Sequence, residues 1–175
     1  IDRTGAMVTL AANQPRIDYD PSSRTCLGLL IEDSRTNLLL NSAGLATQSV
    51  SVSATPYTLS FYGTGSVALS GAYTGSLVGS GSFPTRSTLT FTPSAGTVTI
   101  TVTGTVQYAQ LEAGSSPTSY IPTTSVAVTR SAEVASMPMS NGVFNSITGT
   151  LCASADISAA LASDRYVAEL NDGSA

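Results

Sequence analysis

The chain has 175 residues, room for one ordinary domain with further pieces at its ends. A hydrophobic fraction of 42% with only 10% charged residues suits a packed core and argues against disorder. All seven basic residues are arginines, scattered within a net charge of −4, and no apolar run nears the roughly 20 residues that span a bilayer. A nucleic-acid partner and membrane insertion are therefore not expected.

In chain order, residues 1–36 read as a mixed lead-in with a short strand-like patch at Met7 to Leu10. Pro15 and Pro21 bracket Arg16-Ile17-Asp18-Tyr19-Asp20, whose alternation suits an edge strand. Gly28-Leu29-Leu30-Ile31-Glu32 is apolar enough to predict burial. Glu32 to Asn37 reads as a polar turn, after which Leu38-Leu39-Leu40 re-enters a core. From Ser49 the period-two signals become dense. Val50 and Val52 alternate with serines; Tyr57, Leu59 and Phe61 alternate with Thr58, Ser60 and Tyr62; Leu89 and Phe91, then Val98, Ile100 and Val102, alternate with threonines. Turn residues punctuate these runs at Thr55-Pro56, Gly63 to Gly65, Gly71, Gly79 to Pro84, Pro93 to Gly96 and Gly104. Short strands at such intervals predict an all-β fold, an antiparallel β-sandwich of jelly-roll-like type over residues 37–122, with apolar side chains on one face and Thr/Ser on the other. Val106 to Leu111 is the expected last ribbon, with one wetted face, halted at Gly114. Residues 123–140 suit an extended linker. Thr150 to Ile157 and Arg165 to Leu170 read as opening strands of a second, truncated β unit over 141–175. The start at Ile1 and the Asp172-Gly173 hairpin signal near the end suggest a piece of a longer protein.

The side chains exclude more chemistry than they suggest. With neither His nor Lys, no Ser-His-Asp, Cys-His or Ser-Lys arrangement can form, and a Walker A loop or a pyridoxal phosphate anchor lacks its lysine. No catalytic residue and no cofactor are expected. Cys26 and Cys152 lack a metal-type spacing and read as two small buried side chains. The closest acid pairs, Asp18 with Asp20 and Glu32 with Asp33, show no sign of the facing geometry that a glycosidase needs. Calcium held by such carboxylates stays open, although no D-x-D-x-D-G loop appears. Gly63-Thr64-Gly65-Ser66-Val67-Ala68 matches a dinucleotide-type pattern, but Val67 and Leu69 continue a strand period, so a glycine turn is expected. Tyr62, Tyr73 and Tyr120 are the candidate ligand contacts, because sugar rings stack on exposed aromatics. Ordinary packing, or a hydrogen-bonded tyrosine corner, is the competing expectation.

Two groups of residues carry a resemblance. Pro15 to Asp20 followed by Gly28 to Leu39 resembles the lead-in of bacteriophage tail and fibre-type virion structural proteins. Gln110-Leu111-Glu112-Ala113-Gly114 with Thr118-Ser119-Tyr120-Ile121-Pro122, continued by Val128-Thr129-Arg130, resembles the closing strand and exit of the carbohydrate-binding-module-like β-sandwich of those proteins. Gly149 to Gly173 resembles the start of a concanavalin/laminin-G-like sandwich, with Cys152 standing where an aromatic or aliphatic residue is more usual. The resemblance implies a non-enzymatic structural module of a virion, located in the virion, that spaces and assembles domains. Its implied partners are copies of itself (a homo-oligomer, with a trimer one candidate state) and other virion proteins, with Gln110 and Glu112 in structural roles. Two alternatives are a module binding host surface glycans and an ancillary domain of a polysaccharide-degrading enzyme.

Overall fold

The alternating runs do form strands, and they pair into two antiparallel sheets. The computed structural model describes residues 1–136; the predicted second β unit, its strands and Cys152 lie outside the described residues. A four-stranded sheet has the order β4 (Gln48–Val52), β9 (Gly96–Thr103), β6 (Ser66–Gly71), β7 (Gly75–Val78). A three-stranded sheet has the order β10 (Gln107–Ala113), β5 (Tyr57–Tyr62), β8 (Ser87–Phe91). No helix occurs among the described residues. Apart from the β6–β7 hairpin, consecutive strands of this set lie in different sheets, so the chain passes repeatedly from one sheet to the other.

A single apolar core draws on both sheets. Val52, Val67, Leu69, Val98 and Ile100 meet Tyr57, Leu59, Phe61, Phe91, Ala109 and Leu111, with Leu39 and Leu45 closing one side. Val52, Tyr57, Leu59, Phe61, Val67, Leu69, Phe91, Val98 and Ile100 are in-phase residues of the predicted strands, whereas on the last ribbon Ala109 and Leu111 enter the core and Tyr108 does not. Each such aliphatic or aromatic side chain, taken wholly from water, contributes about 1.5–3 kcal/mol. On the four-stranded sheet the out-of-phase residues Ser49, Ser51, Thr97 and Thr101 face solvent, as the alternation predicts. Glycines make the tight passages. Gly63, at φ +129°, leads from β5 into β6, and a Cβ there would overlap the Thr105 carbonyl oxygen. The Gly63 to Ala68 pattern is thus a turn running into β6.

Two smaller two-stranded sheets accompany the sandwich. β1 (Ile17–Tyr19) and β2 (Cys26–Leu29) form a two-stranded hairpin, which makes the predicted edge strand real. β3 (Arg35–Asn37) pairs with β11 (Val128–Arg130), so part of the predicted linker is a strand laid against the residues before the sandwich. Residues Ile1–Ala135 make up one compact unit.

Four expectations are corrected. Met7 to Leu10 is not a strand, and Val8 and Leu10 are exposed. Leu29, on β2, and Ile31, just beyond it, are exposed rather than buried, and among the described residues no further strand joins the β1–β2 hairpin. Cys26, also on β2, is an exposed free thiol. The predicted last ribbon has no wetted face over Ala109 to Glu112: all four residues are buried, since residues 115–123 fold back over the side that was expected to meet water.

Candidate functional site

The covered outer face of the three-stranded sheet gathers most of the polar chemistry of the described residues. Thr58 and Ser60 on β5, with Gln110 and Glu112 on β10, point away from the apolar core yet are fully buried. Buried polar groups must find partners or cost roughly 1–3 kcal/mol each; here Thr58, Gln110 and Glu112 each have more than one, and Ser60 accepts from Arg86. Glu112 accepts from the Gln110 side-chain amide at 2.5 Å, the Thr118 N–H at 2.8 Å and the Thr118 hydroxyl at 2.6 Å. The Gln110 side-chain oxygen accepts from the Ile121 N–H at 2.7 Å. Pro117 and Pro122, read from the sequence as keeping the exit extended, flank a segment that β10 itself holds in place.

Asn37 completes this seam. Its amide donates to the carbonyls of Ala109 at 3.0 Å and Ile121 at 2.9 Å, while its oxygen accepts from the N–H groups of Leu39 and Leu111. One buried side chain thereby ties the residues after β3, strand β10 and the exit segment together, with all four of its hydrogen-bonding positions used.

Charges close the outer layer. Glu32 accepts from the Ser119 N–H at 2.8 Å, pairs with Arg130 at 3.0 Å and bonds Arg16. Arg16 also bonds Glu133, whose carboxylate accepts from the Glu32 N–H at 2.9 Å, while the Glu133 N–H donates to the Glu32 carbonyl at 3.0 Å. Burial alone raises the pKa of the Glu32 carboxyl; the hydrogen bonds from Arg16 and Ser119 and the nearby charge of Arg130 outweigh it and hold the group below the usual carboxylate range. Arg35 lies 3.9 Å from Glu112 and packs on Gly114, where a Cβ would sit 3.2 Å from the guanidinium. Gly114 thus both ends β10 and leaves room for Arg35.

Beside the seam lies a cleft of about 540 Å³ between the lead-in and the sandwich, lined by Arg16, Tyr19, Glu32, Tyr62, Arg86 and Tyr120 among others. Arg86 donates to the Ser60 hydroxyl at 2.7 Å and the Thr118 carbonyl at 2.6 Å, and its guanidinium lies 5.9 Å from the centre of the Tyr62 ring. Burial lowers the pKa of Arg86 and raises that of Tyr62. A bulge between Gln107 and Gln110, with Tyr108 at φ +48°, swings Tyr108 against both Tyr62 and Tyr120, at ring-centroid distances of 6.2 and 5.4 Å.

Of the three candidate tyrosines, the structure brings Tyr62 and Tyr120 together through Tyr108. Tyr62 is buried, with Phe83 at 5.4 Å. Tyr120 is partly open and shares a 2.7 Å hydrogen bond with the Ser42 hydroxyl. Tyr73 takes no part in this cluster and stacks on Phe91 at 4.4 Å, against the core. Sequence reasoning missed Arg86, Tyr108 and Asn37. For Arg86 a signal existed: it shares the phase of Thr88 and Thr90, away from the core, in a chain with few charges. The suspected acid pairs are occupied otherwise. Asp20 accepts from the N–H groups of Ser22 and Ser23 in the hairpin turn, and Glu32 belongs to the ion cluster. Among the described residues no group of three His, Cys, Asp or Glu could hold a metal ion, and no helix is long and apolar enough to cross a membrane.

No family model matches the chain, and neither curated proteins nor solved structures give a match.

Proposed function

We propose that the chain is a structural module of a phage or prophage tail or fibre-type virion protein, one that spaces and assembles domains. The observation that carries this reading is the cross-tie between the two ends of the sandwich unit. Lead-in residues Arg16 and Glu32 bond exit residues Ser119, Arg130 and Glu133, and β3 pairs with β11, which ends at Arg130. A module built to space its neighbours needs the chain segments on either side locked to its body, and polar groups spent on that lock are not free for turnover. The stretches that carry the resemblance include Arg16, Glu32, Ser119 and Arg130 of this cross-tie, while Glu133 lies beyond them. Immunolabelling of purified phage or induced prophage particles with an antibody to this chain tests the reading. Label on tails or fibres supports it; particles that contain no such chain overturn it.

A second reading, a module for host surface glycans, is favoured by the convergence of Tyr62, Tyr120 and Arg86 on one cleft. It predicts saturable binding on a glycan array that Tyr120→Ala removes and Tyr73→Ala leaves unchanged. Binding insensitive to Tyr120→Ala sinks it.

A further inference from the structure

The partly buried arginines of the described residues differ in one respect. Arg16 pairs with Glu32 and Glu133, Arg35 lies near Glu112, and Arg130 pairs with Glu32. Arg86, buried to a similar degree, has no carboxylate in ion-pair range among the described residues. Its Nη1 donates to the Thr118 carbonyl and its Nη2 to the Ser60 hydroxyl, two neutral acceptors, and the Tyr62 ring adds a cation–π contact. The acids whose charge reaches it are Glu112 and Glu32, and both are committed elsewhere. Glu112 accepts from Gln110 and Thr118, and Glu32 from Arg16, Arg130 and Ser119. A cation drawn out of water without an anion is costly, and a guanidinium cannot escape that cost by losing its proton. Arg86 also stands in the wall of the cleft between the lead-in and the sandwich, so its fork is open to an incoming ligand.

We propose that this cleft takes an acidic glycan, with the carboxylate of a uronic-acid-type residue on the Arg86 guanidinium and Tyr120 as the contact for the sugar ring. Two features favour a single carboxylate over a more highly charged group. The planar guanidinium fork matches a carboxylate edge. Over the whole lining, Asp2, Asp18 and Glu32 offset Arg3, Arg16 and Arg86, so there is no broad positive field to gather a polyphosphate or another dense polyanion. What stands open is one fork for one charge. The inference rests on the glycan reading and deepens it, since it names the class of sugar and the residue that selects it.

The test titrates the full 175-residue chain with short fragments of alginate and of polygalacturonate, each beside its carboxyl-reduced counterpart. The acidic member of at least one pair is expected to bind about tenfold or more tightly than the reduced one, the scale of one charge-assisted hydrogen bond. Added salt is expected to weaken the acidic member more than the reduced one. Arg86→Gln is expected to remove the difference within the pair, with circular dichroism as the check on folding. A second readout needs no variant: in the parent chain the Arg86 side-chain N–H signals are expected to shift in the nitrogen-15 spectrum with the acidic fragment and to stay in place with the reduced one. Equal affinity within every pair overturns the inference and leaves the glycan reading standing. Binding of neither member overturns the inference, and the glycan array then judges the wider reading. Acid-selective binding that leaves the Arg86 signals unmoved overturns the assignment to Arg86. Inorganic phosphate that moves those signals at lower concentration than the acidic fragments overturns the choice of a sugar carboxylate.

Discussion

Strand β5 has two covered faces held by different physics. Towards the four-stranded sheet it presents Tyr57, Leu59 and Phe61 to other apolar side chains. Away from it, Thr58, Ser60 and Tyr62 meet the Gly114 carbonyl, Arg86 and Phe83 respectively. The first contact is non-directional and depends on area and volume. The second depends on donor and acceptor positions, so it specifies which segment lies there and in which register. Burial of equal depth thus provides bulk stability on one side and a precisely placed strap on the other.

Substitutions separate the two. Phe61→Ala is expected to be the most damaging, at about 3–5 kcal/mol in urea unfolding, because it leaves a cavity in the apolar core. Leu59→Met, nearly volume-conserving, is expected to stay under about 1.5 kcal/mol. On the other face, Asn37→Ala is expected to cost roughly 2–4 kcal/mol, since it strands two carbonyls and two N–H groups. Asn37→Leu should restore volume without recovering that loss. A leucine variant as stable as the parent would refute the directional account.

The ion cluster gives a smaller, pH-dependent effect. The folded pKa of Glu32 lies below its unfolded value near 4.3, so its contribution is fully present above that value and is lost as pH falls through the folded pKa. Unfolding midpoints measured from pH 7 to pH 3 are expected to fall on the acid side, and Glu32→Gln should flatten that fall while lowering the plateau at pH 7. An unchanged acid slope in the variant would assign the titration to other carboxylates. Smallest of all, Ser51→Ala on the solvent side of the four-stranded sheet is expected to stay within about 0.5 kcal/mol of the parent.

The core face was legible because period-two alternation reports local geometry. Val50, Val52, Leu59, Phe61, Val98 and Ile100 lie where that pattern puts them, and the glycine and proline turns fall between strands. The strand order within each sheet is not local information, and it did not emerge. Nor did the outer face: Thr58, Ser60, Gln110 and Glu112 carry the signature of residues facing water, and only the fold-back of residues 115–123 buries them. In the lead-in the error ran the other way, because Leu29 and Ile31 look buried by composition while nothing among the described residues covers them. Within the cleft, Tyr62 and Tyr120 were found by residue type. Tyr108 was not, since a bulge rather than the alternation decides where its ring points.

The position of β5, paired on both edges and roofed on both faces, sets how its backbone samples solvent. Fraying cannot expose Thr58 to Phe61, so deuterium should enter those amides only when the entire unit opens, whereas the β1–β2 ribbon should label early. The amides of β5 would therefore serve as an internal gauge of the opening of this unit, readable without any denaturant.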